Sequence, residues 1–145
     1  MAQIELNDVL ARIETKIRAR PEFTSAEIVW ASVPRLRVEA GPLHLLFEEL
    51  IDNGLRYNRS EGPRIEVVGE DRGASWAIEV ADNGTGLPIE VRRRISPAEG
   101  EPGPEAGGVA RALRIVQDLG GELDVTASGP SGTTLRISFP SDLVD

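Results

Sequence analysis

Apolar residues return along the start of the chain at intervals of three and four: Leu6, Val9, Leu10, Ile13 and Ile17. That rhythm predicts an amphipathic helix over 5–20, because residues three and four apart share one helix face. Asn7 is the expected N-cap, and Pro21 stops the helix. Two β-like runs follow, AEIVWAS (26–32) and RLRVEA (35–40), separated by Val33-Pro34. Gly41-Pro42 then opens a second helix, with the proline early enough that its missing N–H costs nothing. The stripe of this helix is Leu43, Leu46, Phe47, Leu50, Ile51 and Leu55.

Beyond the second helix the rhythm changes to two. RIEVVGE (64–70) and SWAIEVAD (75–82) alternate apolar and polar residues around Asp71, Arg72 and Gly73, which predicts a hairpin. ADNGTGLP (81–88) follows as a glycine-rich turn, and PAEGEPGPEAGG (97–108) carries too much Gly and Pro for regular structure. VARALRIVQDL (109–119) reads as a third helix ended by Gly120-Gly121. A second hairpin, ELDVTAS (122–128) and TTLRISF (133–139), turns around GPSG. This order predicts an α+β two-layer sandwich: a mostly antiparallel mixed sheet with helices on one face. The other face is expected to meet solvent or a partner. One domain is expected over 1–145, with its core in 5–140 and a loop or lid over 88–108.

Composition narrows the chemistry. With 40% apolar residues in 145, the chain can bury a real core. It has no cysteine and one histidine, so disulfides, thiolate chemistry and multi-histidine metal sites are excluded. A net charge of −8 argues against a duplex nucleic-acid partner. No apolar run spans a bilayer and no signal-peptide pattern opens the chain, so a cytoplasmic module without direct membrane contact is expected.

Three polar constellations stand out. Glu49 and Asn53 lie one turn apart on a flank of the second helix, with Arg56 and Tyr57 a turn further on. A carboxylate and an amide oxygen at that spacing can share a hard cation such as Mg²⁺, whose remaining positions go to water and phosphate. Arg56 can meet a phosphate, and the Tyr57 ring can lie against an aromatic base. Equally, the same stripe describes a solvated helix flank with an i,i+4 hydrogen bond. Asp82 ends a strand ahead of Gly84 and Gly86, so its carboxylate can accept from an exocyclic amine where the backbone lets a flat ligand approach. An ordinary Asp-Asn-Gly turn fits that stretch as well. Gly107-Gly108 leads into a helix, whose free N–H groups attract anions; Arg92, Arg93 and Arg94 flank the same loop.

Taken in order, the three resemble the motifs of the GHKL superfamily: gyrase, heat-shock chaperones, sensor histidine kinases and mismatch-repair ATPases. The nearest likeness is to the catalytic and ATP-binding domain of sensor histidine kinases. EELIDNGLRYN looks like that family's N box, DNGTGLP like its G1 box, and the segment around GGVARALRIV like its G2 box. LGGELDVTASGPSGTTLRISFP resembles its closing hairpin, and the likeness runs from about Val9 to Pro140.

The resemblance implies a Bergerat-type ATP site with Mg²⁺. Asn53 would be a metal ligand, and Glu49 would stand near the metal and γ-phosphate as the catalytic polar residue. Arg56 would contact phosphate and Tyr57 would lie beside adenine. Asp82 would accept from the adenine N6 amine, supported by Thr133 through water. Gly84 and Gly86 would shape the base pocket, and Gly108 would belong to the phosphate grip. It also implies a partner: the dimerisation and histidine-phosphotransfer domain of a parent kinase, with a response regulator further on.

Departures from the family pattern define the alternatives. Pro104 and Ala106 stand where glycines are usual, Ser96-Pro97-Ala98 replaces the phenylalanines of the F box, and Arg111 falls at a usually apolar position. A degenerate module working through protein contacts is therefore one alternative, and a stand-alone anti-sigma-type serine kinase another. His44 lacks the acidic and basic-proline context of a phosphoacceptor and reads as a helix histidine.

Overall fold

The computed structural model describes residues 3–21, 26–56, 62–83, 107–129 and 132–144. The first helix, α1 (Leu6–Arg18), buries Leu6, Val9, Leu10, Ile13 and Ile17, the five residues of its apolar rhythm. The second, α2 (Ala40–Arg56), buries Leu43, Leu46, Phe47, Leu50, Ile51 and Leu55. The third, α3 (Gly107–Asp118), sets Ala112 and Val116 inward. The centre of the helical layer is α2, in contact with both α1 and α3.

Five strands form the second layer: β2 (Glu27–Ala31), β4 (Arg64–Asp71), β5 (Ser75–Asp82), β6 (Glu122–Gly129) and β7 (Gly132–Pro140). Their spatial order is β2-β4-β5-β7-β6, antiparallel except for the parallel β2–β4 pair, where α2 supplies the crossover. Alternation sends Ile65, Val67, Ile78, Val80, Leu135, Ile137 and Phe139 into the core beneath the helices. The opposite face carries Glu66, Glu70, Glu79, Arg136, Glu122 and Asp124, a charged surface that suits water.

Four local expectations differ from what is observed. Asn7 is not the cap of α1. The chain enters the helix from a two-residue strand, β1 (Ile4–Glu5), that the sequence pattern did not announce, and Glu5 takes the N-cap position without a side-chain cap. The Asn7 carboxamide oxygen instead accepts from Trp30 Nε1 at 2.6 Å. The run at 35–40 pairs only as β3 (Arg35–Leu36), because β1 offers it two residues and no more. Beyond them, Arg37 N–H donates to the Leu143 carbonyl at 2.7 Å, and Leu36 bridges to Val144. Lastly, α3 begins at Gly107, so the Gly-Gly pair forms its first turn rather than preceding it.

Ion pairs tie α1 and the turn that follows it to α2: Lys16 to Glu48 at 2.6 Å and Arg20 to Asp52 at 2.8 Å. Glu48 also meets His44 Nε2 at 3.1 Å. The Lys16 hydrogen bond, helped by His44 and opposed by partial burial, holds the Glu48 carboxyl below the usual glutamate value of 4.5. A value depressed by folding stabilises the folded chain above the unfolded value and ceases to do so as pH falls through the lowered one. Glu48→Gln is therefore expected to lower the melting temperature at neutral pH by roughly 2 °C, as a partly exposed pair allows. Thermal melts should show that deficit closing as the medium is acidified through the carboxylate range. A deficit independent of pH would mean that packing, not charge, is what Glu48 contributes.

Candidate nucleotide site

Two residues of the α2 flank singled out by its sequence, Glu49 and Asn53, do not lie in water. Asn53 is 3% exposed, and its Oδ1 is one of two buried side-chain N or O atoms left without a hydrogen-bond partner among the described residues. Leaving such an amide oxygen unmet costs about 1–3 kcal/mol, so folding alone gives no reason for an asparagine there. Glu49 sits one turn earlier on the same face, its side chain 13% exposed. Among the described residues no group of three His, Asp or Glu forms a metal cage. The donors present are a carboxylate and an orphaned amide oxygen. They suit a hard cation that takes few protein ligands and fills its shell with water and phosphate.

Asp82 comes to this flank from the sheet. It closes β5, facing Ile65 of β4 on one side and Thr133 of β7 on the other. The Thr133 N–H donates to Asp82 Oδ1 at 3.3 Å, and Thr133 is itself 3% exposed. Helix and strand end meet because residue 54 is glycine. A Cβ there would stand 2.7 Å from Ile65 Cδ1 and 3.3 Å from Asp82 Oδ2, so a larger residue would have to displace the Ile65 side-chain tip and crowd the Asp82 carboxylate. The residue that follows Asn53 on α2 is thereby set against the Asp82 carboxylate at the interface between the layers. The next residue, Asn83, fastens the strand end: its Oδ1 accepts from Arg64 N–H at 2.8 Å, and its Nδ2 donates to the Gly62 carbonyl at 3.1 Å.

The other expected site residues divide by position. Gly108 lies in the first turn of α3, where backbone N–H groups lack helical partners. Arg56 is the last residue of α2, and of it only the backbone is described. Tyr57, Gly84, Gly86 and residues 88–106 of the lid expected over 88–108 lie outside the described residues. One contact was not anticipated. Arg111, on the first turns of α3, reaches across to Glu49, Nη1 to Oε1 at 2.7 Å. Its signal in the sequence was a charge at an otherwise apolar helical position; its partner, 62 residues away, had none.

His44 is half-buried on α2 against Glu48, consistent with an ordinary helix histidine. No described helix is long and apolar enough to cross a membrane.

Comparison with known proteins gives this geometry a lineage. Residues 39–143 match the family model described as histidine kinase-, DNA gyrase B- and HSP90-like ATPase. The phytochrome-like protein Cph1 of Synechocystis is 24% identical over 142 residues, covering 94% of this chain and 19% of the relative. The C4-dicarboxylate transport sensor protein DctB of Rhizobium meliloti is 36% identical over 107 residues, 72% of this chain and 16% of that protein. The chain thus spans a fifth or less of the length of these two relatives. The mycobacterial sensor histidine kinase MprB superposes with a TM-score of 0.74 at 21% identity, over 96% of each chain. The α+β sandwich is therefore that of histidine kinase ATP-binding domains, and the chain belongs to the histidine kinase-, DNA gyrase B- and HSP90-like ATPase family, on its histidine kinase side.

Proposed function

We propose that the chain is the ATP-binding catalytic domain of a sensor histidine kinase, passing the γ-phosphoryl group of ATP to a histidine on a separate dimerisation domain in the cytoplasm. A response regulator would receive the group from that histidine. The observation that supports this reading is the buried, unmet Asn53 amide oxygen on α2, one residue before the glycine that lies against the Asp82 carboxylate.

In this reading Asp82 accepts from the adenine N6 amine while its other oxygen stays with the Thr133 N–H. A guanine would bring no amine to that oxygen, which is how a single part-buried acceptor discriminates between purines. Tyr57 covers the base, and Gly84 and Gly86 let it approach the turn. Arg56 and the N–H groups of the α3 first turn, Gly108 among them, meet the phosphates. Asn53 Oδ1 would hold a Mg²⁺ ion, which when bound neutralises charge on the transferred group, and Glu49 would stand near the metal and the γ-phosphate without holding either. Positioning and charge neutralisation are the main demands of phosphoryl transfer, and the residues present are of that kind.

The test is to mix the chain with the helical hairpin that bears the acceptor histidine, together with labelled Mg·ATP. Acid-labile label on the hairpin is expected. Nucleotide binding without any transfer would leave a binding module, and no calorimetric heat at millimolar nucleotide would remove the ATP site. Asn53→Ala sharpens the test. Since its Oδ1 is buried and unmet, its loss is expected to destabilise the fold by no more than about 1 kcal/mol. The same substitution should remove the Mg²⁺-dependent part of ATP affinity and abolish transfer. Undiminished transfer by this variant would take Asn53 out of the site.

A further inference from the structure

The Arg111–Glu49 pair joins α3 to α2 beside the Asn53 amide, and the two partners are buried very unequally. Glu49 is 13% exposed, and Arg111 is 63% exposed. A long cation has been brought in from solvent to an already enclosed carboxylate. As a structural bridge it is worth little, because an exposed guanidinium gains modest energy in high dielectric and loses rotamer freedom. Its position is more informative: Glu49 is one turn from Asn53, on the side assigned above to the phosphates.

Two nucleophiles compete for the γ-phosphorus of bound ATP. When water attacks, an O–P bond forms, the bond from phosphorus to the β–γ bridging oxygen breaks, and ADP leaves with that electron pair. The water must also give up a proton, and a nearby carboxylate is the natural acceptor. When a neutral histidine attacks, its ring nitrogen lone pair forms the P–N bond while the same P–O bond breaks. No proton need be removed for that attack. A carboxylate held by a guanidinium is therefore dispensable for transfer to nitrogen and hindered as a base for water.

We infer that Arg111 is a positioning residue that ties back the Glu49 carboxylate and so protects bound ATP from hydrolysis, biasing the site toward a nitrogen nucleophile. This rests on the nucleotide reading of the site. Arg111 then acts on the choice of acceptor and not on affinity for ATP.

The experiment measures ATP hydrolysis by the chain without any histidine acceptor, alongside calorimetric Mg·ATP binding. Arg111→Met is expected to raise the hydrolytic kcat by about tenfold or more, within what a freed general base can supply. KM and the calorimetric Kd should stay within about threefold of the parent. Arg111→Lys, which restores a cation, should bring the rate back toward the parent's. Adding Glu49→Gln to Arg111→Met should cancel the gain. The inference is overturned if hydrolysis stays at the parent's rate while ATP still binds, or if the gain survives Glu49→Gln. It is equally overturned if Arg111→Met loses ATP affinity by more than about tenfold, which would make Arg111 a phosphate contact. An absence of binding in parent and variant alike would overturn the nucleotide reading itself, and the inference with it.

Discussion

Asp82→Asn is expected to weaken Mg·ATP binding by about 100-fold or more while leaving the fold intact, because one amide cannot meet two donors. In the parent, one carboxylate oxygen accepts from the Thr133 N–H at 3.3 Å. The other is assigned to the adenine amine. An asparagine offers one oxygen and one NH₂ group. If the oxygen stays with Thr133, the NH₂ confronts the N6 amine; if the side chain flips, the NH₂ confronts the Thr133 N–H. A donor faces a donor either way, and the charge that strengthens both hydrogen bonds is gone. Without nucleotide, the oxygen can remain on Thr133, so melting should change little. Calorimetry on the purified variant decides the matter, and an ATP affinity close to the parent's would remove Asp82 from the base pocket.

The largest effect on folding is expected at Gly132→Ala. This residue opens β7 with φ +138°, a conformation that side-chain-bearing residues rarely adopt. A Cβ there would lie 1.9 Å from the Asp82 carbonyl oxygen and 3.1 Å from Asn83 Cα, so the obstacle is backbone and cannot swing aside. Either β7 gives up its register with β5 at Asp82↔Thr133, or the end of β5 moves. A loss of about 3 kcal/mol is expected, visible as a fall of roughly 10 °C in the melting temperature. Nucleotide affinity should fall with it, because the strand end that moves carries the carboxylate. Parent-like melting would mean that the hairpin yields there far more readily than its geometry implies.

Periodic elements were the legible part of this chain. The stripes of α1 and α2 need only spacing to be recognised, and every apolar residue assigned to them is buried. Both hairpins were equally plain, since two-residue alternation on either side of a polar turn has few other meanings. Short elements were not. β1 has two residues and no pattern of its own; it exists because β3 lies beside it. Asn7 has the chemistry of a cap, yet tertiary contact with the Trp30 indole claimed it, an outcome no local rule anticipates. The parallel pairing of β2 with β4 was likewise hidden, for strand direction depends on how the intervening helix returns the chain.

For the candidate site, residue types and spacing named Glu49, Asn53 and Asp82, the family resemblance added Thr133, and the fold sets these four in or beside the seam between α2 and the sheet. Spacing could not reveal that Gly54 is the residue permitting the approach, because its neighbours Ile65 and Asp82 are distant in sequence. Nor could it pair Arg111 with Glu49, although both were individually conspicuous.

The small ladder of β1 and β3 has a mechanical consequence. Ile4 and Val144 both pair with Leu36, one on each side of it. Tension entering the domain through its first strand and leaving through its last residues would load that short ladder while the five-stranded sheet stayed unstressed. A pull along the chain would peel β1 from β3 well before it disturbed the seam where Gly54 lies against Asp82.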